Sequence, residues 1–501
     1  MIRPTLIPSR LLRSCTALYT KPALRRTFGN MATPYKINIA PDNTGLWGIR
    51  QTDHAAKTVT DLLQKDMDKH HVFFNQEGFH DHISHHILAL YGTGASAEDI
   101  RKAFVENESY QRPAMEPRKN LFEELRDWDK AKQRLGKEQY YTDWLLFFEH
   151  EIERLGGWQK TLSEYMFKGD ERSQDMLIRM YAGFLHPLIQ LMYGVEWDQP
   201  AIVAMALAQA SVHRDELGPF HLGAEEKARK SARMPMPRIA ELLEAAAGNA
   251  KLRNSPRLDD GNKICDGVLA RAWDEAIECT GRVKVAPDEL AERTAEMFNT
   301  AIYEASAAAL RPGKDPKYEF FLMHHVTSAP IFVTLNKQDW LATEHKVRML
   351  EWKIRMDIVQ YVARGSPKLS VEKIAKYVPK DEVMSSSTDR RFYVPFFLPR
   401  WMVFQYDLTS ADWRGIIPEF LPRLHSLSDD GHVIKLWRAV GVGRKLSEPY
   451  EDRDWPRVKG SKLWDQISHL IVDSVEAPGP RWVRNSGFEE AWKDVRDTPK
   501  N

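Results

Sequence analysis

The chain has 501 residues, 43% of them hydrophobic and 10% aromatic, which is enough for one large helical domain or two or three smaller ones. Its 71 basic and 70 acidic residues nearly cancel, so the overall charge gives no argument for binding nucleic acid or an anionic membrane. The 3 cysteines are too few for a disulfide framework or a thiolate metal site. No run of about 18 apolar residues occurs, so the sequence predicts no membrane span.

The first forty residues differ in composition from the rest of the chain. They contain several arginines and lysines, and the first acidic residue is Asp42. This composition is typical of a mitochondrial transit peptide, although Pro4, Pro8 and Pro22 weaken the amphipathic helix that such a peptide forms. We therefore expect residues 1–40 to be a mitochondrial targeting or disordered segment. A cytoplasmic form that starts at Met31 is the alternative.

Helical periodicity dominates the remaining residues, because apolar side chains recur at three- and four-residue spacing. The predicted helices cover 53–68, 82–91, 97–106, 142–155, 170–182, 200–214 (a buried central helix), a long helix after Pro287, and 343–364. Strand patterns are few: YKINI after Pro34 and RFYVPFF from Arg391. The sequence therefore predicts an all-α fold, a large single-domain multi-helix bundle over residues 41–501.

Histidines are concentrated in one short region. Of the 17 histidines, six fall at His70, His71, His80, His82, His85 and His86. Neutral imidazole is the commonest protein ligand for zinc, copper, iron and nickel. If this region is helical, His82 shares a face with His85 and His86, three and four residues further on. We interpret the region as a metal or catalytic site; the alternative is a polar face whose histidines bond to carbonyl groups.

Histidines in apolar segments further along the chain offer candidate partners for this region. His186 precedes Pro187 and marks a helix start, but taken alone it also fits a core histidine. His324 and His325 are adjacent, and neighbouring helical residues point about 100° apart, so only one of the two is expected to face a site.

A third candidate segment, LHSLSDDGHVIKLWRAV, places His432 and Lys435 on one face at the start of a helix. A lysine on an apolar inner face is costly when charged, and burial lowers its pKa. The neutral amine could act as a base, or capture carbon dioxide to become a carbamate, which is an anionic oxygen ligand. The alternative is a lysine whose ammonium group reaches water.

Several common site types are absent from the sequence. No G-x-G-x-x-G follows a strand and no G-x-x-x-x-G-K-[ST] occurs, so there is no nucleotide or flavin fingerprint. The sequence also lacks H-E-x-x-H and the G-x-S-x-G nucleophile elbow.

Four blocks, GFHDHISHHILALYGTGAS, GFLHPLIQLMYGVEW, FFLMHHVTSA and DDGHVIKLWRAV, resemble the questin oxidase-like family and occur in that family's order. The resemblance extends from about Asn43 to the C-terminal region. The family includes fungal Baeyer–Villiger-type and ring-opening oxidases of aromatic polyketide pathways. The resemblance implies an all-helical oxidoreductase that uses molecular oxygen and gathers the histidines of the four blocks in one pocket.

Carried over block by block, the metal ligands that the resemblance implies are His85 or His86, His186, His324, His432 and Lys435. His324 fits better than His325 because it precedes x-V-T-S. His82 is an alternative ligand or a neighbour of the ligands, and His82 and Lys435 are the catalytic candidates. The choice between His85 and His86 stays open.

The resemblance implies a small aromatic substrate and two alternative mechanisms. In one, imidazoles and a lysine carbamate hold Fe(II) that activates O2, with NADPH as an external reductant. In the other, a histidine deprotonates a hydroxyaromatic substrate, whose anion reacts with oxygen directly. A zinc hydrolase and a non-catalytic helical scaffold are the remaining hypotheses; the scaffold predicts that His186, His324 and His432 point to separate places. The oligomeric state stays open, and a transit peptide is unusual for a pathway enzyme.

Overall fold

The structure is a computed structural model that describes residues 31–118, 121–231, 235–380 and 420–498. Within these residues the regular secondary structure is helical, and β pairing is limited to isolated bridges. The predicted all-α fold is confirmed. The described residues from Ala32 onwards belong to one compact unit. No helix among the described residues is long and apolar enough to cross a membrane.

The helices of the first half of the chain begin after a 3-10 turn at Gly45–Trp47. They are α1 (Asp53–Lys69), α2 (Ile83–Gly92), α3 (Ala97–Glu108), α4 (Phe122–Arg126), α5 (Trp128–Ala131), α6 (Tyr141–Leu155), α7 (Trp158–Met166), α8 (Glu171–Met180), α9 (Ala182–Glu196), α10 (Pro200–Val212) and α11 (Gly218–Lys230). A further 3-10 turn, Glu138–Tyr140, leads into α6.

The second half contains α12 (Ile239–Gly248), α13 (Ala250–Arg253), α14 (Trp273–Thr280), α15 (Leu290–Ala308), α16 (Phe320–Thr327), α17 (Pro330–Asn336), α18 (Thr343–Ala363), α19 (Val371–Ala375), α20 (Phe420–His425), α21 (His432–Ser447) and α22 (Ser461–Glu476). A π-helix covers Lys263–Leu269, and 3-10 turns cover Pro287–Glu289, Glu448–Tyr450 and Glu490–Trp492. Each helix predicted by periodicity is present, with ends that differ by a few residues.

The YKINI segment does not form a regular strand. Its backbone instead bonds to side chains of α1: Ile37 N donates to Gln64 Oε1 (2.9 Å) and Ile39 N donates to Thr60 Oγ1 (2.9 Å). Ile37 and Ile39 are buried in the core, so the folded unit includes residues before position 41. Most of the predicted transit peptide, and the RFYVPFF segment, lie outside the described residues.

The middle of the bundle is α10, which packs against α6 and α9. Every residue of α10 from Ala201 to Val212 is buried. The prediction of a buried central helix, made because a helix that is apolar on all sides must lie inside the protein, is confirmed by this burial.

Four helices around this core position the candidate site. Helix α2 packs against α9 and α21, and α16 also packs against both α9 and α21. Helix α9 is irregular at its start, because Gly183, Phe184 and Leu185 have left-handed φ angles of 53°, 55° and 68°. Its regular part therefore starts at His186, with Pro187 in the first turn, where a missing N–H costs nothing. This is the helix start that the sequence predicts.

Candidate functional site

Four imidazole rings from distant parts of the chain meet in the interior; we call them the four-histidine cluster. His82 precedes α2, His186 starts the regular part of α9, His324 lies in α16 and His432 starts α21. The Nε2 atoms of His82 and His186 are 2.8 Å apart, and those of His432 and His324 are 3.1 Å apart. The ring centroids of His186 and His324 are 5.0 Å apart, and those of His82 and His432 are 4.6 Å apart. The four rings thus form a closed group.

Asp430 orients two of these rings. Its Oδ2 lies 3.0 Å from His82 Nδ1 and its Oδ1 lies 2.5 Å from His432 Nδ1. Burial alone would raise the pKa of Asp430, but the bonded imidazoles of His432 and His82 hold it well below its ordinary value. The carboxylate therefore accepts N–H bonds from both rings, which places the proton of each ring on Nδ1 and the lone pair on Nε2.

Backbone carbonyl groups orient the other two rings in the same way. His186 Nδ1 donates to the carbonyl oxygen of Gly183 (2.6 Å), and His324 Nδ1 donates to that of Phe320 (2.6 Å). The left-handed conformation of residues 183–185 changes the direction of the chain just before the helix, and this leaves the carbonyl oxygen of Gly183 free to accept from His186. These rings also carry their lone pairs on Nε2.

The consequence is an arrangement in which lone pairs face each other. Burial is the main cause that lowers the pKa of His82, His324 and His432 to about 3 each, and that of His186 well below its ordinary value. The neutral rings then bring two pairs of Nε2 acceptors to hydrogen-bond distance with no hydrogen between them. Such contacts are unfavourable unless a proton or a metal ion lies between the nitrogens.

Ligation by Nε2, with Nδ1–H bonded to a carboxylate or carbonyl group, is the usual arrangement of histidines around protein-bound metals. The donor set therefore fits a transition metal that prefers imidazole: iron, zinc, copper or nickel. Separately, ligand atoms of His82, Asp430 and His432 all lie within 4.8 Å of one another.

Lys435 lies one turn after His432 in α21 and is only 3% exposed. The structure thus favours the buried lysine over one that reaches water. Among the described residues, no carboxylate is close enough to Lys435 Nζ to form an ion pair with it. Burial lowers the pKa of Lys435 to about 8, although Asp430 and Asp429 act in the opposite direction. With this pKa part of the amine is neutral at pH 7–8, which is compatible with either predicted role, as a base or as a carbamate.

His85 and His86, which the resemblance favours as ligands, lie beside the cluster. The ring centroid of His85 is 5.9 Å from that of His82 and 6.4 Å from that of His186, and its ring stacks on Tyr193 at 5.5 Å. His86 Nε2 lies 3.7 Å from Asp429 Oδ1. Their roles as ligands stay predictions, while His82 takes the position that the sequence assigns to one of them.

A second pair of histidines, which the family resemblance does not include among the ligands, supports the cluster from one side. The ring of His80 stacks on His186, with centroids 3.8 Å apart and planes inclined by 6°. His80 Nε2 lies 2.8 Å from His213 Nε2, and His213 Nδ1 bonds to the carbonyl oxygen of Gln209 at 2.7 Å. His213 Nε2 is therefore an acceptor, and His80 donates to it. The histidine-rich run is the signal that points to His80; nothing in the sequence distinguishes His213.

Two cavities flank the cluster. One has a volume of about 690 Å³ and is lined by His432, Trp482 and Arg481; the other has a volume of about 440 Å³ and is lined by His186. Both are lined by His82, Phe79, Phe320 and Arg484. Cavities of 300–1,000 Å³ are typical of small-molecule sites, so either has room for a flat aromatic molecule of a few rings.

An all-helical protein with a buried histidine site and adjoining aromatic-lined cavities is an enzyme-like arrangement, and comparison with known proteins identifies its class. A family model described as questin oxidase-like matches residues 79–440. The chain belongs to the questin oxidase-like family. This family assignment makes it an oxidoreductase, as the sequence predicts.

Curated relatives cover nearly the whole chain. The chain is 32% identical to a questin oxidase of Aspergillus fumigatus over 93% of its own length and 99% of the relative's. It is 33% identical to the Baeyer–Villiger oxidase AgnL3 of Paecilomyces divaricatus, over 86% of this chain and 89% of that one. It is also 32% identical to the oxidoreductase AflY of Aspergillus parasiticus, over 91% and 86% of the two chains.

Proposed function

We propose that this protein uses molecular oxygen to oxidise a hydroxylated aromatic polyketide, by Baeyer–Villiger-type insertion or by cleavage of a ring. The relatives named questin oxidase and Baeyer–Villiger oxidase support the reaction class. The observation that carries the proposal is the pair of Nε2–Nε2 contacts in the four-histidine cluster, at 2.8 and 3.1 Å, which calls for a bound cation.

The residues that would hold a metal are those of the four-histidine cluster, and Asp430 would orient two of them. We propose iron, because a redox-active ion lets triplet oxygen react with a singlet substrate, which zinc does not. Lys435, as a carbamate, is a proposed additional oxygen ligand.

The other residues of the site act on the substrate. The rings of Phe79 and Phe320 offer flat walls in both cavities, and Arg484 offers a cation for a phenolate oxygen. In a Baeyer–Villiger reaction one oxygen atom enters the C–C bond beside a carbonyl group. The other leaves as water, with two electrons from an external donor such as NADPH and two protons. In a ring cleavage both oxygen atoms of O2 remain in the product.

A metal-free mechanism is the second candidate, and the His82–Asp430 pair is the observation that favours it. His82 Nε2 would accept the phenolic proton while Asp430 stabilises the imidazolium ion. The pKa of His82, which burial and then Lys435 lower to about 3, makes it a weak base for a phenol. We therefore prefer the metal-dependent mechanism.

The scaffold hypothesis requires histidines that point to separate places. Instead, His324 lies with its ring centroid 5.0 Å from that of His186 and 4.8 Å from that of His432. This convergence argues against a scaffold. A zinc hydrolase fits the same donor set but not the names of the relatives.

The test is oxygen uptake by the purified full chain with a hydroxylated anthraquinone and NADPH, followed by mass spectrometry of the product after reaction under ¹⁸O₂. We expect uptake with substrate and ¹⁸O in the product. The variants His186→Ala and His432→Ala are expected to lose this activity, whereas His150→Ala, with a side chain 45% exposed, is the matched control and should retain it. A product that carries no ¹⁸O and forms without oxygen uptake would establish a hydrolase instead.

A further inference from the structure

A third cavity, of about 230 Å³, lies on the other side of the irregular turn that starts α9. Gly183, Phe184, His213 and Arg214 line both this cavity and the 440 Å³ cavity beside the four-histidine cluster. The remaining walls include the segment that precedes α11, with Glu216 and Leu217, and residues of α16, α18 and the π-helix. A π-helix is a rare type of helix that is frequently found at functional sites.

His325 faces this cavity rather than the four-histidine cluster. It follows His324 in α16, so the two side chains point about 100° apart. Its Nδ1 bonds to Asp357 Oδ1 in a short hydrogen bond, and the same oxygen accepts from Lys353 Nζ at 2.5 Å. The carboxylate therefore holds the proton of His325 on Nδ1, which leaves Nε2 as a hydrogen-bond acceptor on the side of the cavity.

Gln360 supplies a second polar group to the same cavity. It lies one turn after Asp357 in α18 and is 0% exposed. Neither its Nε2 nor its Oε1 has a hydrogen-bond partner among the described residues. A buried amide without partners is unfavourable, and such groups are rare in folded proteins. An amide left unpaired beside a cavity is explained if a ligand completes its bonds.

We propose that the cavity lined by His325 and Gln360 is a binding site for a single-ring hydroxyaryl ketone or a similar small hydroxyaryl carbonyl compound. The hydroxyl group of the ligand donates to His325 Nε2, and its carbonyl oxygen accepts from Gln360 Nε2. Phe184, Ile264 and Met356 supply apolar contacts for the ring. The volume of about 230 Å³ admits one ring but not three.

The chemical class of this ligand follows from the acceptor of His325 and the donor of Gln360, not from the proposed reaction; Arg214, Glu216 and Asn262 are further polar residues of the lining. The site is therefore distinct from the four-histidine cluster, and it stands or fails independently of oxygen chemistry. Because the two cavities share a wall, a ligand held here would contact Gly183 and Phe184, which precede His186.

The probe is 3-hydroxyacetophenone, titrated calorimetrically into the full chain, with acetophenone as the analogue that lacks the hydroxyl donor. We expect the hydroxylated probe to bind more tightly than acetophenone. Gln360→Met keeps the side-chain volume but removes the amide, and we expect it to weaken binding roughly tenfold, as for one or two neutral hydrogen bonds. The melting temperature of this variant should not fall, because no existing hydrogen bond is lost.

Trp482→Leu, which alters the 690 Å³ cavity, is the matched control and should bind the probe like the unaltered chain. Cys265→Phe narrows the proposed site from its half-buried edge and should also weaken binding. This variant replaces Gln360→Met in the test if Gln360→Met does not fold. The proposal is overturned if the probe does not bind at millimolar concentration. It is also overturned if Gln360→Met and Cys265→Phe bind it unchanged, or if Trp482→Leu is the variant that weakens binding.

Discussion

Asp430 is the single residue on which the geometry of the candidate site depends most. One carboxylate fixes the tautomer of two rings, His82 and His432, whose positions in the sequence are about 350 residues apart. Residues that orient metal-bound histidines in this way typically change metal affinity or activity about 10- to 100-fold when replaced.

We therefore expect Asp430→Asn to lower kcat/KM, and the affinity for metal, by roughly 10- to 100-fold. The amide offers one acceptor oxygen where two N–H groups need one each, so one ring must change its tautomer. Steady-state oxygen uptake and metal titration measure the effect. Asp61→Asn is the matched control, since the Asp61 carboxylate lies at the surface in an exposed ion pair with Lys57, away from the four-histidine cluster. Equal losses in both variants would contradict this role.

Lys435 gives a prediction for the pH dependence of stability. Burial lowers its pKa from 10.5 to about 8, so between these values the unfolded chain binds more protons than the folded one and stability rises with pH. The shift corresponds to roughly 3 kcal/mol. Lys435→Met should therefore raise the free energy of unfolding by up to about 3 kcal/mol at pH 7, a gain that vanishes above pH 10.5.

Urea denaturation at a series of pH values, in buffer free of carbon dioxide to prevent carbamate formation, measures this difference. The difference in the free energy of unfolding between Lys435→Met and the unaltered chain should shrink as the pH rises. If it stays constant from pH 7 to pH 11, burial does not lower the pKa of Lys435. The same variant should lose oxidase activity if the amine or its carbamate acts in the reaction.

Three of the four clustered histidines, His186, His324 and His432, are among the ligands that the family resemblance implies, and the fourth, His82, is its alternative ligand. The start of α2 shows why helical spacing alone does not predict the position of the His82 ring. Sequence reasoning placed His82 inside the helix, where it would share a face with His85 and His86, whereas its φ and ψ of −109° and 0° place it before the first helical residue. Helical spacing then no longer describes where its side chain points.

At the scale of elements, the left-handed turn at the start of α9 is the feature that helical periodicity could not predict. Phe184 and Leu185 have positive φ angles, which residues with a side chain rarely adopt, so the pattern of the sequence gives no sign of them. Strained conformations of this kind are often found at functional sites. Here the turn directs the Gly183 carbonyl to His186 and brings Gly183 against His213.

Gly183→Ala tests this element. A Cβ atom at this position would lie 2.2 Å from His213 Nε2 and 2.9 Å from His80 Nε2, in addition to the strain of φ +53°. We expect a loss of more than about 2 kcal/mol of stability together with most of the activity, because both histidines must move. Thermal denaturation and oxygen uptake measure the two effects.

Gly48→Ala is the control for backbone strain alone. Gly48 has φ +72°, and a Cβ there would meet nothing within 4 Å, so the expected loss is only about 1–2 kcal/mol with activity retained. If Gly183→Ala and Gly48→Ala lose stability and activity to the same extent, the close approach of Gly183 to His213 has no functional importance.

At the scale of the whole molecule, the helices themselves were predictable because their apolar faces repeat along the sequence, as α1 and α18 illustrate. The convergence of α2, α9, α16 and α21 was not predictable from periodicity. It depends on contacts between residues hundreds of positions apart, and only the resemblance to a family anticipated it.

One such long-range contact is the buried ion pair between Glu196 and Arg438, both 1% exposed. Glu196 Oε1 also accepts from Leu46 N at 2.6 Å, so a single carboxylate connects the N-terminal segment, the end of α9 and the middle of α21. The loss of one partner leaves a buried charge, and Glu196→Ala should cost about 3–5 kcal/mol in the free energy of unfolding.

Chemical denaturation measures this loss. Asp61→Ala is the matched control, because its ion pair with Lys57 is exposed and the expected change is at most about 1 kcal/mol. A loss of similar size in both variants would mean that the Glu196–Arg438 pair does not hold the three segments together.

The most direct test of the central claim, that four imidazole nitrogens surround a bound cation, is the metal content of the purified chain by elemental analysis. We predict about one transition-metal ion per chain, most simply iron, which is lost in His186→Ala and His432→Ala and retained in His325→Gln. A chain that carries no stoichiometric metal, and that oxidises its substrate at full rate after complete chelation, would contradict the claim.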